Sequence, residues 1–412
     1  MDIATGDGIV NFLQVHPLFG IGVMLLGGYF LGRIAGIMRL PEITGFILTG
    51  LLMGGEVFAI VGDNAADDLA VITEVALGLI AFTLGSELRS GKLKRMGKSV
   101  TWITIGQLGL SFALVSITLS FTSLPWPIAL LLGPVAMSTS PAAIVHIVQS
   151  TRARGRFVDH LFGTVALGDA VAIALFGLLL ALTPTMLGGD ANALTLLTEA
   201  VNDLSVSVVL GAVIGTLLSV TTRRQNHTGE LFIITLGFVF LSTAMAVASG
   251  LSPLLINMVA GATLANLSSA NTRVFRSLEP MTPPVYALFF VIAGTKLKPS
   301  ILLQPETLIL GGLFILARAL GKYAGAGIGA TLSGADIPTR RWLGLSLFAH
   351  AGVALGLILL MQAAPELDMI PQFPPELVET TANIVLMSVF VNEIVGPVVA
   401  TFAVRRACQL ED

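Results

Sequence analysis

Asp169 is the lone charge in the run Thr164-Val165-Ala166-Leu167-Gly168-Asp169-Ala170-Val171-Ala172-Ile173-Ala174-Leu175-Phe176. Placing a charge at the centre of a bilayer costs about 2.5 to 3.5 kcal/mol even on the lenient insertion scale, so an aspartate there is a functional candidate by default. Low dielectric disfavours the bare carboxylate, and either a proton or a metal cation relieves it. A group that alternates between the two performs the core step of antiport. The plainer reading of Asp169 is a fixed hydrogen-bond acceptor.

Arg318 and Lys322 are spaced i and i+4 in a second apolar stretch, so they share one helix face and need a partner. Arginine stays protonated whereas a desolvated lysine can give up its proton, which makes Arg318 the permanent counter-charge and Lys322 the switch. The alternatives are a structural ion pair for Arg318 and snorkelling towards the membrane surface for Lys322. Glu393, beside Asn392, is a possible second carboxylate partner for this pair. Glu74 and Glu87 stand at the two ends of another apolar stretch, with Glu87 next to Arg89 and expected to pair with the bases around it. His146 and His350 titrate near neutrality, although lone histidines are more often packed hydrogen-bonding residues than sensors. No metal-ligand spacing, Gly-rich phosphate loop or nucleophile with a positioned base accompanies these residues. An intramembrane hydrolase therefore fits poorly, and no cofactor is implied.

The elements that hold these side chains must be membrane helices. Of 412 residues, 54% are hydrophobic and 11% charged, against about 25% charged in soluble domains. The formal net charge of −3 leaves no nucleic-acid footprint, and Cys408, the single cysteine, cannot form an internal disulfide. No basic leader precedes the first apolar segment, so no cleavable signal is expected. Apolar stretches fall near 16–38, 41–61, 69–86, 97–121, 127–149, 157–183, 200–221, 230–249, 252–268, 283–298, 305–331, 340–363 and 378–404, which is about thirteen spans.

Lys and Arg gather in alternate connections, from Arg39 and the Arg89 to Lys98 cluster through Arg152, Arg223, Arg273 and Arg340 to Arg405 and Arg406. The other connections are acidic, with Lys296 and Lys298 as their bases. The positive-inside rule then sets the N-terminus outside and the C-terminus in the cytoplasm, which demands an odd number of spans. An odd count allows two inverted six-helix repeats, 1–183 and 230–412, around a linking helix in 184–229, with no soluble domain. Transporters of this design place their sites where helices break at mid-membrane. Gly133, Pro134, Ser138, Thr139, Ser140 and Pro141 interrupt the fifth stretch, and His350, Gly352 and Gly356 interrupt the twelfth. Freed carbonyls there, with the Thr139 and Ser140 hydroxyls, offer the neutral oxygens that hard cations want. Close helix packing is the competing explanation for such small residues.

At these residues the chain resembles the monovalent cation:proton antiporter superfamily, in its bacterial sodium/hydrogen exchanger type and second branch. The resemblance rests on Leu40-Pro41-Glu42-Ile43-Thr44-Gly45-Phe46 continuing to Gly54, on Glu74 through Leu88, on Ser138-Thr139-Ser140-Pro141, on Gly168-Asp169, and on Ala317-Arg318-Ala319-Leu320-Gly321-Lys322-Tyr323, in that order. It implies an all-α polytopic fold with crossed, broken helices at the ion site, a homodimer, and an elevator-like movement of a core domain against the dimer scaffold. Gly168 replaces the first residue of the usual Asp-Asp, Asn-Asp or Gln-Asp pair, and Ser140 replaces an aspartate found in several relatives. Both changes remove possible ligands, so ion identity and stoichiometry do not carry over.

The expected function is exchange of Na+, or Li+ or K+, for H+ across a bacterial inner membrane, electroneutral because Asp169 is the only carboxylate of its pair. The principal alternative is a transporter of organic anions or bile-acid-like solutes on the same architecture, from which proton dependence discriminates. A sensor or assembly component is a further alternative, weakened by the expected lack of an output domain.

Overall fold

A bilayer offers no water to an open backbone, so apolar runs of this composition satisfy their own N–H and C=O groups as helices. The computed structural model describes residues 17–38, 41–58, 60, 70–86, 88, 90–186, 193–225, 227–267, 271–362 and 375–408, and its described elements are seventeen α-helices without strands. They are α1 (Pro17–Ile37), α2 (Glu42–Met53), α3 (Ala70–Gly85), α4 (Ser90–Ser120), α5 (Trp126–Met137), α6 (Pro141–Thr151), α7 (Arg156–Met186), α8 (Ala193–Thr222) and α9 (Thr228–Ala248). There follow α10 (Pro253–Leu267), α11 (Asn271–Leu278), α12 (Thr282–Thr295), α13 (Pro299–Leu302), α14 (Pro305–Leu332), α15 (Ile337–Ser346), α16 (Gly352–Gln362) and α17 (Pro375–Cys408).

Seven of these helices are long and apolar enough to cross a membrane by length and composition: those at 18–37, 97–120, 156–180, 197–222, 228–248, 305–332 and 376–408. The other six expected stretches each hold a shorter apolar helix, so length alone does not fix the number of crossings. The fourth stretch begins where expected because Gly97, at φ 67°, kinks α4 away from the basic segment before it. Two short helices were not legible as spans. One is α13. The other, α11, buries Val274 and Leu278 on one side while Arg273 and Arg276 remain exposed, a pattern too short and too polar to read as a crossing.

The fifth and twelfth stretches are broken where the sequence indicated. In the fifth, α5 stops at Met137, Ser138 is extended (φ −65°, ψ 154°), and α6 restarts at Pro141, whose missing N–H costs nothing at a first helical position. In the twelfth, α15 stops at Ser346 and α16 restarts at Gly352. Around these breaks a large apolar core includes Phe82, Phe176, Phe289, Phe314 and Leu355. Facing outward are large apolar side chains such as Val220, Ile233, Leu320 and Phe402, each more than half exposed, as helices bathed in lipid present.

The packing that matters most for the site is α14 against α4. Gly321, Gly325 and Gly329 recur every fourth residue on one face of α14, and a Cβ on Gly325 or Gly329 would come within 2.8 Å of the Gln107 Cα or 2.7 Å of the Ile103 Cα. Only glycine permits this backbone-to-backbone approach, the small-residue packing of membrane helices. The same face of α14 carries Arg318 and Lys322, fully buried, while Leu316, Leu320 and Tyr323 face outward.

Candidate functional site

The two breaks cross each other. The Ser140 backbone N–H donates to the Ala349 carbonyl at 3.0 Å, tying one break to the other. Across the same junction His350 Nε2 donates to the Val135 carbonyl at 3.1 Å and Nδ1 lies 3.3 Å from Ser388 Oγ. Its ring stacks on Phe314 at 6.2 Å between centroids. His350 is thus a buried tie between α5, α14 and α17, the packed role that lone histidines usually take.

Helices that end inside a membrane leave carbonyls without donors and concentrate partial negative charge there. Arg318 and Lys322 supply the donors. Arg318 Nη1 donates to the Phe348 carbonyl at 3.0 Å and Nη2 to the Ser138 carbonyl at 2.9 Å, with longer contacts to Ala349 O at 3.4 Å and Asn392 Oδ1 at 3.5 Å. Lys322 Nζ donates to the Met137 carbonyl at 2.7 Å, Thr139 Oγ1 at 2.8 Å and Gln107 Oε1 at 3.2 Å. Snorkelling is therefore ruled out for Lys322, which is wholly buried. The sequence points to carboxylate partners for these two cations, but their hydrogen-bond partners are neutral oxygens, most of them backbone carbonyls that leave no trace in side-chain type.

Asp169, fully buried on α7, accepts a hydrogen bond from the Thr139 N–H at 3.0 Å through Oδ1. Its Oδ2 has no hydrogen-bond partner, and among the described residues no ion pair joins it to Arg318 or Lys322. A buried carboxylate oxygen left open beside two carbonyl-lined breaks is a place where a proton or a small cation gains the most. Thr139 and Ser140 divide the work of the break. Thr139 serves Asp169 with its N–H and Lys322 with its hydroxyl, whereas Ser140 Oγ lies 3.4 Å from the Ala143 N–H and caps the start of α6.

Glu393 is fully buried, next in sequence to Asn392, and neither of its oxygens has a hydrogen-bond partner. No ion pair joins it to Arg318 or Lys322 among the described residues. Glu74 is half-buried on α3, and no hydrogen bond among the described residues links it to the crossing. Glu87 and the His146 side chain lie outside the described residues. Sequence reasoning missed Gln107, an uncharged amide within the apolar α4 run; the available signal was its place among residues too small and apolar to leave a buried amide satisfied.

Thr139→Val keeps the shape of the side chain and removes one acceptor. Apparent cation affinity should fall about tenfold, the worth of one hydrogen bond to a charged group, with a smaller change in maximal rate, when exchange is titrated in proteoliposomes. Unchanged affinity for every cation, in this variant and in Ser140→Ala, would reduce the break to a packing feature.

Discontinuous helices crossing at depth, with their ends turned on buried charges, define a secondary transporter. The profile described as sodium/hydrogen exchanger, transmembrane, matches residues 21–404, and the chain belongs to that family. It is a multi-pass membrane protein and a cation:proton antiporter, which disfavours the organic-anion reading. The chain is 27% identical over 351 residues to the ammonium/H(+) antiporter subunit AmhT of Alkalihalophilus pseudofirmus, covering 83% of this chain and 84% of that protein. It is 25% identical over 312 residues to K(+) efflux antiporter 2, chloroplastic, of Arabidopsis thaliana, covering 69% of this chain but only 26% of that longer protein. Among solved structures it shares the fold of the sodium proton antiporter MjNhaP1 from Methanocaldococcus jannaschii at pH 8, with TM-score 0.78, 18% identity, and coverage of 95% and 98% of the two chains.

Proposed function

We propose that the protein exchanges one monovalent cation, Na+, Li+ or K+, for one proton, with Asp169 taking each in turn. The observation that carries this reading is the open Oδ2 of a fully buried Asp169 at the crossing of two broken helices. The similarity to an ammonium/H(+) antiporter subunit adds ammonium to the cations worth testing. In this reading Arg318 stays charged and holds the crossing together, Thr139 lends neutral oxygen, and Lys322 yields its place when a cation arrives. The division into repeats 1–183 and 230–412 about a linking helix in 184–229 belongs to the same proposal, as do a homodimer in a bacterial inner membrane, the N-terminus outside and the C-terminus in the cytoplasm. The charge pattern of the connections supports the orientation.

The experiment is exchange in proteoliposomes carrying a pH dye while Na+, Li+, K+ and ammonium are varied outside. Cation-driven proton movement is expected for at least one of them; none for any cation overturns the proposal.

Stoichiometry has its own test. If one carboxylate is neutralised alternately by H+ and by the cation, the loaded core carries the same net charge in both directions and exchange is electroneutral. A membrane potential imposed with a gradient of a permeant anion such as thiocyanate, so that no candidate cation sets it, should leave Na+-driven proton flux unchanged at steady state. A clear dependence on that potential would contradict one-for-one exchange, and repeating it with Lys322→Gln would show whether the lysine supplies a second proton. Glu393 titrating together with Asp169 is the other source of one.

A further inference from the structure

The Lys322 ammonium sits in a seat of three uncharged oxygens. Its three donors meet the Met137 carbonyl at 2.7 Å, Thr139 Oγ1 at 2.8 Å and Gln107 Oε1 at 3.2 Å. These are ordinary contact lengths for an ammonium nitrogen. A dehydrated cation of similar radius fits the same oxygens, whereas Na+ and Li+ would require the seat to contract. Asp169 adjoins the seat as its counter-charge, because Thr139 lends its N–H to Asp169 and its hydroxyl to Lys322.

Gln107 is the member of this seat that the rest of the mechanism does not use. It is 1% exposed, its Nε2 has no hydrogen-bond partner, and it is delivered to Lys322 by the glycine-mediated approach of α4 to α14. It also lies against Gly168, where an added Cβ would come 3.1 Å from Nε2. The amide therefore fills the room beside Asp169 that a side chain at position 168 would take.

We propose that Gln107 is a specificity-determining residue: with Met137 O and Thr139 Oγ1 it forms the seat of the transported cation, sized for K+ or ammonium rather than Na+ or Li+. This rests on the reading that Asp169 is the counter-charge of the transported cation. When the cation arrives, the Lys322 ammonium vacates the three oxygens, and Gln107 Oε1 passes from the lysine to the ion without any covalent change.

The test is proteoliposome exchange with Na+, Li+, K+ and ammonium titrated separately. Wild type is expected to show higher apparent affinity for K+ or ammonium than for Na+ or Li+. In Gln107→Leu that affinity should fall about tenfold, with Na+ and Li+ affinities less affected. Wild-type preference for Na+ or Li+ would overturn the assignment, and so would a loss in Gln107→Leu that is nil or equal for all four cations. Since Gln107→Leu leaves Lys322 short of an acceptor and can fail to fold, the pair Gln107→Ala with Gly168→Asn returns an amide from the facing helix. Recovered K+ preference relative to Gln107→Ala alone supports the seat, and a folded double variant with no recovery overturns it. Asp169→Asn in the same assay separates the two readings. Retained exchange there sinks the parent proposal whatever Gln107 does, whereas silent Asp169→Asn with unaltered Gln107→Leu sinks only the selectivity assignment.

Discussion

Asp169→Asn should give a folded protein in which no cation gradient moves protons above the level of empty vesicles. Asparagine keeps the volume of the side chain, and its amide oxygen can still accept from the Thr139 N–H that now reaches Oδ1 at 3.0 Å. The break between α5 and α6 therefore keeps its anchor. What disappears is the carboxylate with an open Oδ2 at the crossing, whose charge a proton or a cation can neutralise. Because Asp169 makes no ion pair with Arg318 or Lys322, its neutralisation leaves neither base with a lost partner, and stability should change little. Near-normal exchange by a folded Asp169→Asn protein would show that the carboxylate is structural.

The largest effect on stability should come from Arg318→Met. Arg318 is wholly buried, and its two terminal nitrogens donate to Ser138 O and Phe348 O, with longer reaches to Ala349 O and Asn392 Oδ1. Methionine fills much of the same space without a donor, so carbonyls from both broken helices lose their partners in an apolar setting. Each buried carbonyl left without a donor costs about 1 to 3 kcal/mol. A clear drop in the unfolding temperature of the detergent-solubilised protein is expected, together with loss of exchange. Arg318→Lys keeps the charge but replaces a planar fork by a point donor, so it should fold better than Arg318→Met while exchanging slowly. Wild-type thermal stability in Arg318→Met would mean that the crossing is held by other contacts, chiefly the Ser140 and His350 ties.

The breaks, the helix class and the charged residues of the site are all legible in the sequence, for physical reasons. A bilayer dictates the length of apolar stretches, and a charge such as Asp169 stands out because its insertion is costly. Pro141 and Gly352 announce the restarts at which α6 and α16 begin. The partners of Arg318 and Lys322 were not legible, because carbonyls freed by a broken helix leave no trace in residue type. The role of Gln107 was not legible for a related reason. An uncharged amide does not stand out as a charge does, and its contact with Lys322, 215 residues away in the chain, depends on glycine packing between α4 and α14. The two hydroxyls of Thr139 and Ser140 looked equivalent in sequence, and only the start of α6 separates the helix cap from the hydroxyl that meets Lys322.

The most direct test of a single carboxylate shared by proton and cation is proton release on binding, without any membrane. Detergent-solubilised protein in a weakly buffered solution is titrated with K+, Na+ or ammonium while heat and pH are followed together. Wild type should release protons as the cation binds, and Asp169→Asn should release none. Cation binding by wild type with no proton release, or equal release from Asp169→Asn, would contradict competition at Asp169.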